Sequence, residues 1–184
     1  MRRQRSLTLS LFVLLAALAP AAAEAQVTSN LRGIWNLNRQ ASDNLDAAIN
    51  RAVARMNIVV RQIARPRLRS TNTMYPTLVV SQEAANVRVN MAGRPTLSTP
   101  YNGQPVLWQR ETGATCREIK GDCVRVTSTV ENGHLRQVFQ AEDGRRTNLY
   151  TVSADGSRMT MDVTIESPKL PNPLNYKLVY NRAN

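Results

Sequence analysis

Histidine is almost missing from this 184-residue chain, which has only His134. One imidazole excludes the two-histidine zinc helix of the metalloproteases. Its place beside the Asn132-Gly133 pair makes it a solvated turn residue rather than a catalyst. No Gly-x-Ser-x-Gly elbow, phosphate-binding loop or dinucleotide fingerprint occurs. Cysteine is scarce as well. Cys116 and Cys123 are too far apart for a Cys-x-x-Cys redox pair and too few for zinc. Paired carboxylates are the remaining acid–base candidates, and their places argue against them. Glu142 and Asp143 share a turn, Asp162 falls on the wet side of a strand, and Glu166 ends that strand beside Ser167-Pro168. A non-enzymatic protein without metal or cofactor is expected.

What is present begins with a leader. Arg2, Arg3 and Arg5 precede an apolar run over 7–19, then Pro20 and the small-residue stretch ending Ala23-Glu24-Ala25. These are the three regions of a secretory signal peptide, and the apolar run is too short to span a bilayer. No later segment is a transmembrane candidate. Cleavage after Ala25 is expected, giving a mature chain 26–184 that forms one domain in the periplasm or outside the cell. A Cys116–Cys123 disulfide suits an oxidising compartment. A loop this short stabilises by roughly 2–2.5 kcal/mol.

Charge is uneven. Three of the 24 basic and one of the 13 acidic residues fall in the first 25, which leaves +9 on the mature chain. Residues 26–75 hold eight Arg and two Asp, so most of this excess sits in one segment. That segment carries a helical pattern. Leu45, Ile49, Ala52, Val53, Met56, Val59, Val60 and Ile63 recur at helical spacing, which predicts one amphipathic helix over 43–65. Ser42 or Asp43 is the expected N-cap and Pro66 the limit. Arg51, Arg55, Arg61 and Arg65 lie off the apolar stripe, with Ile58 the one apolar residue on their side. Packing of the stripe on the core is expected to dominate, leaving the arginines as a solvated cationic face. Their functional reading is contact with an anionic surface. Nucleic acid is not expected, because the segment has no aromatic stacking face.

From residue 77 the period changes to two. Strands are predicted at 33–37, 77–82, 86–91, 96–101, 106–111, 123–130, 134–141, 145–152, 157–165 and 174–181. Most alternate apolar and polar residues, the antiparallel signature. Asn102-Gly103, Asn132-Gly133, Asp143-Gly144 and Asp155-Gly156 supply the positive φ angles that hairpins need. Such a meander tends to close on itself. The expected fold is all-β, an up-and-down barrel of eight to ten strands with one helix inserted after the first.

In this layout the chain resembles the calycins: lipocalins, avidins and fatty-acid-binding proteins. Gly33-x-Trp35 lies on the first strand, a helical segment precedes the meander, and the last strand could close against the first. It is also similar to small exported bacterial proteins of lipocalin-like type, through Gly33–Asn38 and Pro171-Asn172-Pro173-Leu174. The resemblance implies a small apolar ligand inside the barrel. One family feature is missing. Fatty-acid-binding proteins hold the carboxylate with Arg-x-Tyr on the last strand, where this chain has Leu178-Val179-Tyr180. The lipocalin Thr-Asp-Tyr turn is absent too. The expected lining is Trp35, Trp108, Phe139, Tyr150, Met161 and Tyr176. The alternative is an envelope interaction protein working through the basic helix at Arg51, Arg55, Arg61 and Arg65. A barrel enzyme would need polar side chains converging inside, and Ser128 is the clearest polar residue on an otherwise apolar face.

Overall fold

The computed structural model describes residues 30–83, 85–111 and 115–183, so the expected signal peptide and its cleavage site lie outside the described residues. Ten strands form one antiparallel sheet. They are β1 Gly33–Leu37, β2 Thr77–Glu83, β3 Asn86–Met91, β4 Leu97–Pro100, β5 Val106–Gln109, β6 Cys123–Glu131, β7 His134–Ala141, β8 Gly144–Val152, β9 Arg158–Glu166 and β10 Leu174–Arg182. Their order is β4-β3-β2-β1-β10-β9-β8-β7-β6-β5, so the first and last strands meet. Trp35 lies opposite Arg182 and Leu37 opposite Tyr180.

Closure between the edge strands takes an unexpected route. Asn102-Gly103 does not make a hairpin of β4 and β5, which are not paired. It crosses instead to β6, where Asn102 bridges Thr129 and the Gly103 N–H donates to the Ser128 carbonyl at 2.9 Å. One stretch of chain, 97–109, thus borders β3 with its first half and β6 with its second. Only the four-residue strands β4 and β5 remain as edges, and edges this short offer little template for pairing with other chains. At Asn132-Gly133 both φ angles are positive, 51° and 80°, as a tight hairpin requires. Gly144 is needed for another reason. It opens β8, and a Cβ there would stand 2.8 Å from the Glu166 carbonyl oxygen.

The single helix expected over 43–65 is two helices, α1 Leu45–Ala52 and α2 Ile58–Thr71. Asn44 caps the first and Asn57 the second, each side chain accepting the backbone N–H three residues on. Ser42 and Asp43 do something else. Their oxygens accept the Val179 and Lys177 N–H groups, at 2.9 and 2.8 Å, along the part of β10 that β1 has left. Pro66 does not stop the helix but sits inside α2, where the freed Gln62 carbonyl is on an exposed residue and water can serve it. The break redirects the apolar stripe. Leu45, Ile49, Ala52 and Val53 are buried, as expected, and Ala48 is buried with them. Val59, Val60 and Ile63 are not: they are 65%, 46% and 67% exposed, while Ile58, expected on the polar side, is 70% exposed. Arg61 ties the break down by donating to the Ala54 and Met56 carbonyls at 2.6 and 2.8 Å. No residue of α2 is buried.

The helices lie at the end of the barrel where β10 begins and β1 ends. Residues 30–32 close the opposite end. Trp35 is fully buried there, with its indole N–H on the Leu31 carbonyl at 2.8 Å. The Arg182 guanidinium lies over the Trp35 ring, 4.2 Å from its centroid. A Cβ on Gly33 would fall 2.5 Å from Arg182 Nη1, and Gly33 has φ +145°. The Gly-x-Trp pair is therefore a packing device: the glycine leaves room for the cation that covers the tryptophan.

The disulfide forms as expected, joining Cys116 to the first residue of β6 with a Cα–Cα distance of 5.5 Å. Replacing both cysteines by serine is expected to lower stability by about 2–2.5 kcal/mol in urea unfolding, with the barrel intact. A loss below about 0.5 kcal/mol would mean that Arg110, which bonds Gly121 and Asp122, already orders the loop.

Candidate binding site in the barrel mouth

Alternation sends every second residue of β6–β10 inward, and on three strands some of these are polar. Ser128, Gln137 and Asn148 are buried, together with Thr99 of β4. Thr99 and Ser128 share a hydrogen bond at 2.6 Å, and Gln137 Nε2 donates to Ser128 Oγ at 3.1 Å. Gln137 Oε1 is buried without a partner. A lone acceptor in such a place costs about 1–3 kcal/mol unless something donates to it.

Strand β8 continues the column. Arg146, Asn148 and Tyr150 alternate along it and face inward. Arg146 Nε donates to Asn148 Oδ1 at 2.8 Å, and Asn148 Nδ2 donates to Tyr150 Oη at 3.1 Å. Arg146 is half-buried between its cross-strand neighbours Phe139 and Ile165, also half-buried. All three lie in the layer beneath the helices. Among the described residues no carboxylate comes within 4 Å of the Arg146 guanidinium, and its two terminal nitrogens make no hydrogen bond. The phenols of Tyr150, Tyr176 and Tyr180 are all pushed up by burial and pulled partly back by the Arg146 charge. They stay protonated at neutral pH and can donate.

The six expected lining residues all face the interior, but they do not form one surface. Trp35 belongs to the closed far end under Arg182. Trp108 and Phe139 meet edge to face with centroids 6.1 Å apart, in a small cluster with Leu97, Val124 and Val126. Tyr150, Met161 and Tyr176 belong to the main core, where Tyr176 donates to Asn72 Oδ1 at 3.3 Å. Arg146, Gln137 and Asn148 were not among the expected residues. Their signal is the period of two itself, which puts Gln137 between Leu135 and Phe139 and makes Arg-x-Asn-x-Tyr one face of β8.

The polar groups that converge are amides, hydroxyls, phenols and one guanidinium. No carboxylate or imidazole is among them. His134 faces outward and bonds Thr151 at 3.1 Å. Asp143 meets Lys169 at 2.7 Å, and this contact holds its carboxyl below the usual range. Glu166 pairs with Arg145 at 2.6 Å, and Glu142 accepts the Gly121 N–H. Among the described residues no group of three or more His, Cys, Asp or Glu could hold a metal ion, and no helix is long and apolar enough to cross a membrane.

Two clefts open on the outer surface and neither enters the barrel. One of about 270 Å³ lies between α1 and the β9–β10 connection, with Arg51 on its wall. Another of about 410 Å³ lies between β5 and the disulfide loop. Of the four arginines, Arg51, Arg55 and Arg65 are exposed, while Arg61 is half-buried at the helix break.

The fold has solved counterparts. A secretory abundant heat soluble protein from Ramazzottius varieornatus superposes with a TM-score of 0.52 at 10% identity, over 84% of this chain and 96% of that one. Fatty-acid-binding protein 1 of Echinococcus granulosus gives 0.49 at 15% identity, over 85% and 99%. The zebrafish ileal bile acid-binding protein, complexed with cholic acid, gives 0.49 at 9%, over 84% and 99%. The barrel shares the fold of the heat-soluble protein. No family model and no curated protein sequence matches the chain.

Proposed function

We propose that this chain is an exported, non-enzymatic binding protein for one small, largely apolar molecule that carries an acidic end. Arg146 carries this reading. It is a cation aimed into the barrel mouth, flanked by Phe139 and Ile165, with its terminal N–H groups unmatched by any described carboxylate. Half-buried guanidinium donors in such a setting suit a carboxylate or sulfonate. The phenol of Tyr150 adds a neutral donor, and Phe139 with Trp108 offers an apolar wall. The leader pattern and the Cys116–Cys123 bond support export.

The far end and middle of the barrel are filled: Trp35, Met159, Leu178 and Tyr180 are fully buried. The ligand therefore occupies the mouth layer rather than the whole barrel, and Trp35 drops out of the lining. Entry requires the cap to move. Helix α2 is suited to that, because none of its residues is buried and lifting it uncovers little apolar surface.

Native mass spectrometry of the protein taken directly from the producing cells tests the reading. A retained, non-covalent mass of a few hundred daltons is the expected result. A bare mass that persists after incubation with a lipid extract would overturn it.

A further inference from the structure

Helix α2 turns the wrong face to the protein. Its half-buried side is Arg61, Ala64 and Leu68. At about 100° per residue, Val59, Ile63, Pro66 and Ser70 lie together on the opposite side, facing away from the barrel. Ile58 and Val60 flank them in the first turn. Arg67 lies along one border of this apolar strip and Arg69 along the other. Residues 51–71 contain six arginines and no acidic residue. Two are matched, Arg69 with Asp46 at 2.6 Å and Arg67 more loosely with Asp143 at 3.7 Å. Arg51, Arg55 and Arg65 have no carboxylate within 4 Å among the described residues.

We infer that the outward face of α2, with Val59 and Ile63 at its centre and arginines on both borders, docks on the surface of an anionic lipid bilayer. A clustered exposure of large apolar side chains calls for a partner. The partner must be apolar at its centre and negative at its rim. A second copy of this chain fails that test, since pairing the same face would set arginines against arginines. An anionic bilayer offers both properties at one depth: acyl chains for Val59 and Ile63, and headgroups for arginines whose stems reach outward. The arrangement does not depend on a ligand in the barrel.

Flotation with vesicles tests it, using the purified protein at low salt. Vesicles of equal phosphatidylglycerol and phosphatidylcholine are expected to carry the protein at least 10-fold better than pure phosphatidylcholine. Val59→Ser with Ile63→Ser should reduce binding to the anionic vesicles at least 10-fold. Arg67→Glu with Arg69→Glu should abolish the preference for phosphatidylglycerol. All four side chains are exposed, so folding is retained, and circular dichroism with urea unfolding confirms it. An Ile63→Trp variant should show blue-shifted emission on anionic vesicles only. The inference is overturned by wild-type protein that stays off anionic vesicles, by variants that bind like wild type, or by self-association lost in the Val59→Ser, Ile63→Ser variant without vesicle binding. Because no ligand takes part, these outcomes are separate from the success or failure of the mass measurement.

Discussion

Arg182→Ala is expected to lower the unfolding free energy by about 3 kcal/mol, an effect comparable to truncating a core residue. Arg182 does four things at once. Nε donates to the Gly156 carbonyl at 2.7 Å, Nη1 to Arg32 at 2.5 Å and Nη2 to Asn30 at 2.6 Å. The plane also covers Trp35. Hydrogen bonds from charged donors contribute about 1.5–3 kcal/mol each, and a cation over tryptophan about 0.5–2 kcal/mol. The four share one side chain that is only half-buried, so they do not add, and the lower part of the range applies. Arg182→Lys should recover little, because a single ammonium cannot serve three carbonyls spread around a plane. Urea unfolding followed by tryptophan fluorescence measures this. A loss below about 0.5 kcal/mol would show that residues 30–32 close the barrel without help. Gly33→Ala should destabilise as well, and by less in an Arg182→Ala background, since the clash with Nη1 is then gone. A double-mutant cycle reads that coupling.

Arg146→Leu is expected to weaken an apolar carboxylate probe such as cis-parinarate by about 30-fold, equivalent to about 2 kcal/mol. The corresponding uncharged alcohol should change less than about 3-fold, because the apolar wall is untouched. The full cost of a buried charge pair is not expected, since Arg146 is half-buried and water screens part of it. Stability should change by no more than about 1–2 kcal/mol, because removing a cation without a described carboxylate partner is offset by leaving Oδ1 of the buried Asn148 without its donor. Equal losses for acid and alcohol would mean that Arg146 shapes the mouth without recognising charge. No loss for either would remove it from the site. Fluorescence titration of both probes against both proteins makes the comparison.

The strands were legible because their determinants are local. Alternation in 157–165 and 134–141, and the Asn132-Gly133 turn, need no distant partner to be read. The Gly-x-Trp pair marked the first strand but not its reason, since Arg182 is 149 residues from Gly33 in the chain. The interior cation was hidden for a related reason. Its expected place was β10, and β8 supplies it. Period two says that Arg146, Asn148 and Tyr150 share a face, while only the register with Phe139 and Ile165 makes that face the inner one. The disulfide was legible from spacing and from the compartment the leader pattern leads one to expect. The helical segment misled because an apolar stripe continues across residues 53–57, and periodicity alone cannot see the break that Asn57 and Arg61 create.

By itself the sequence determined an antiparallel meander of ten strands, a basic helical insertion and a short covalent loop. These follow from side-chain period, turn chemistry and spacing, all properties of neighbouring residues. Tertiary structure alone decided where the barrel closes, which end is sealed by the tryptophan–arginine stack, which arginine points inside and which helix face is left to solvent. Each of those depends on register and on packing between residues far apart in the chain, where a shift of one residue in a strand exchanges inside for outside.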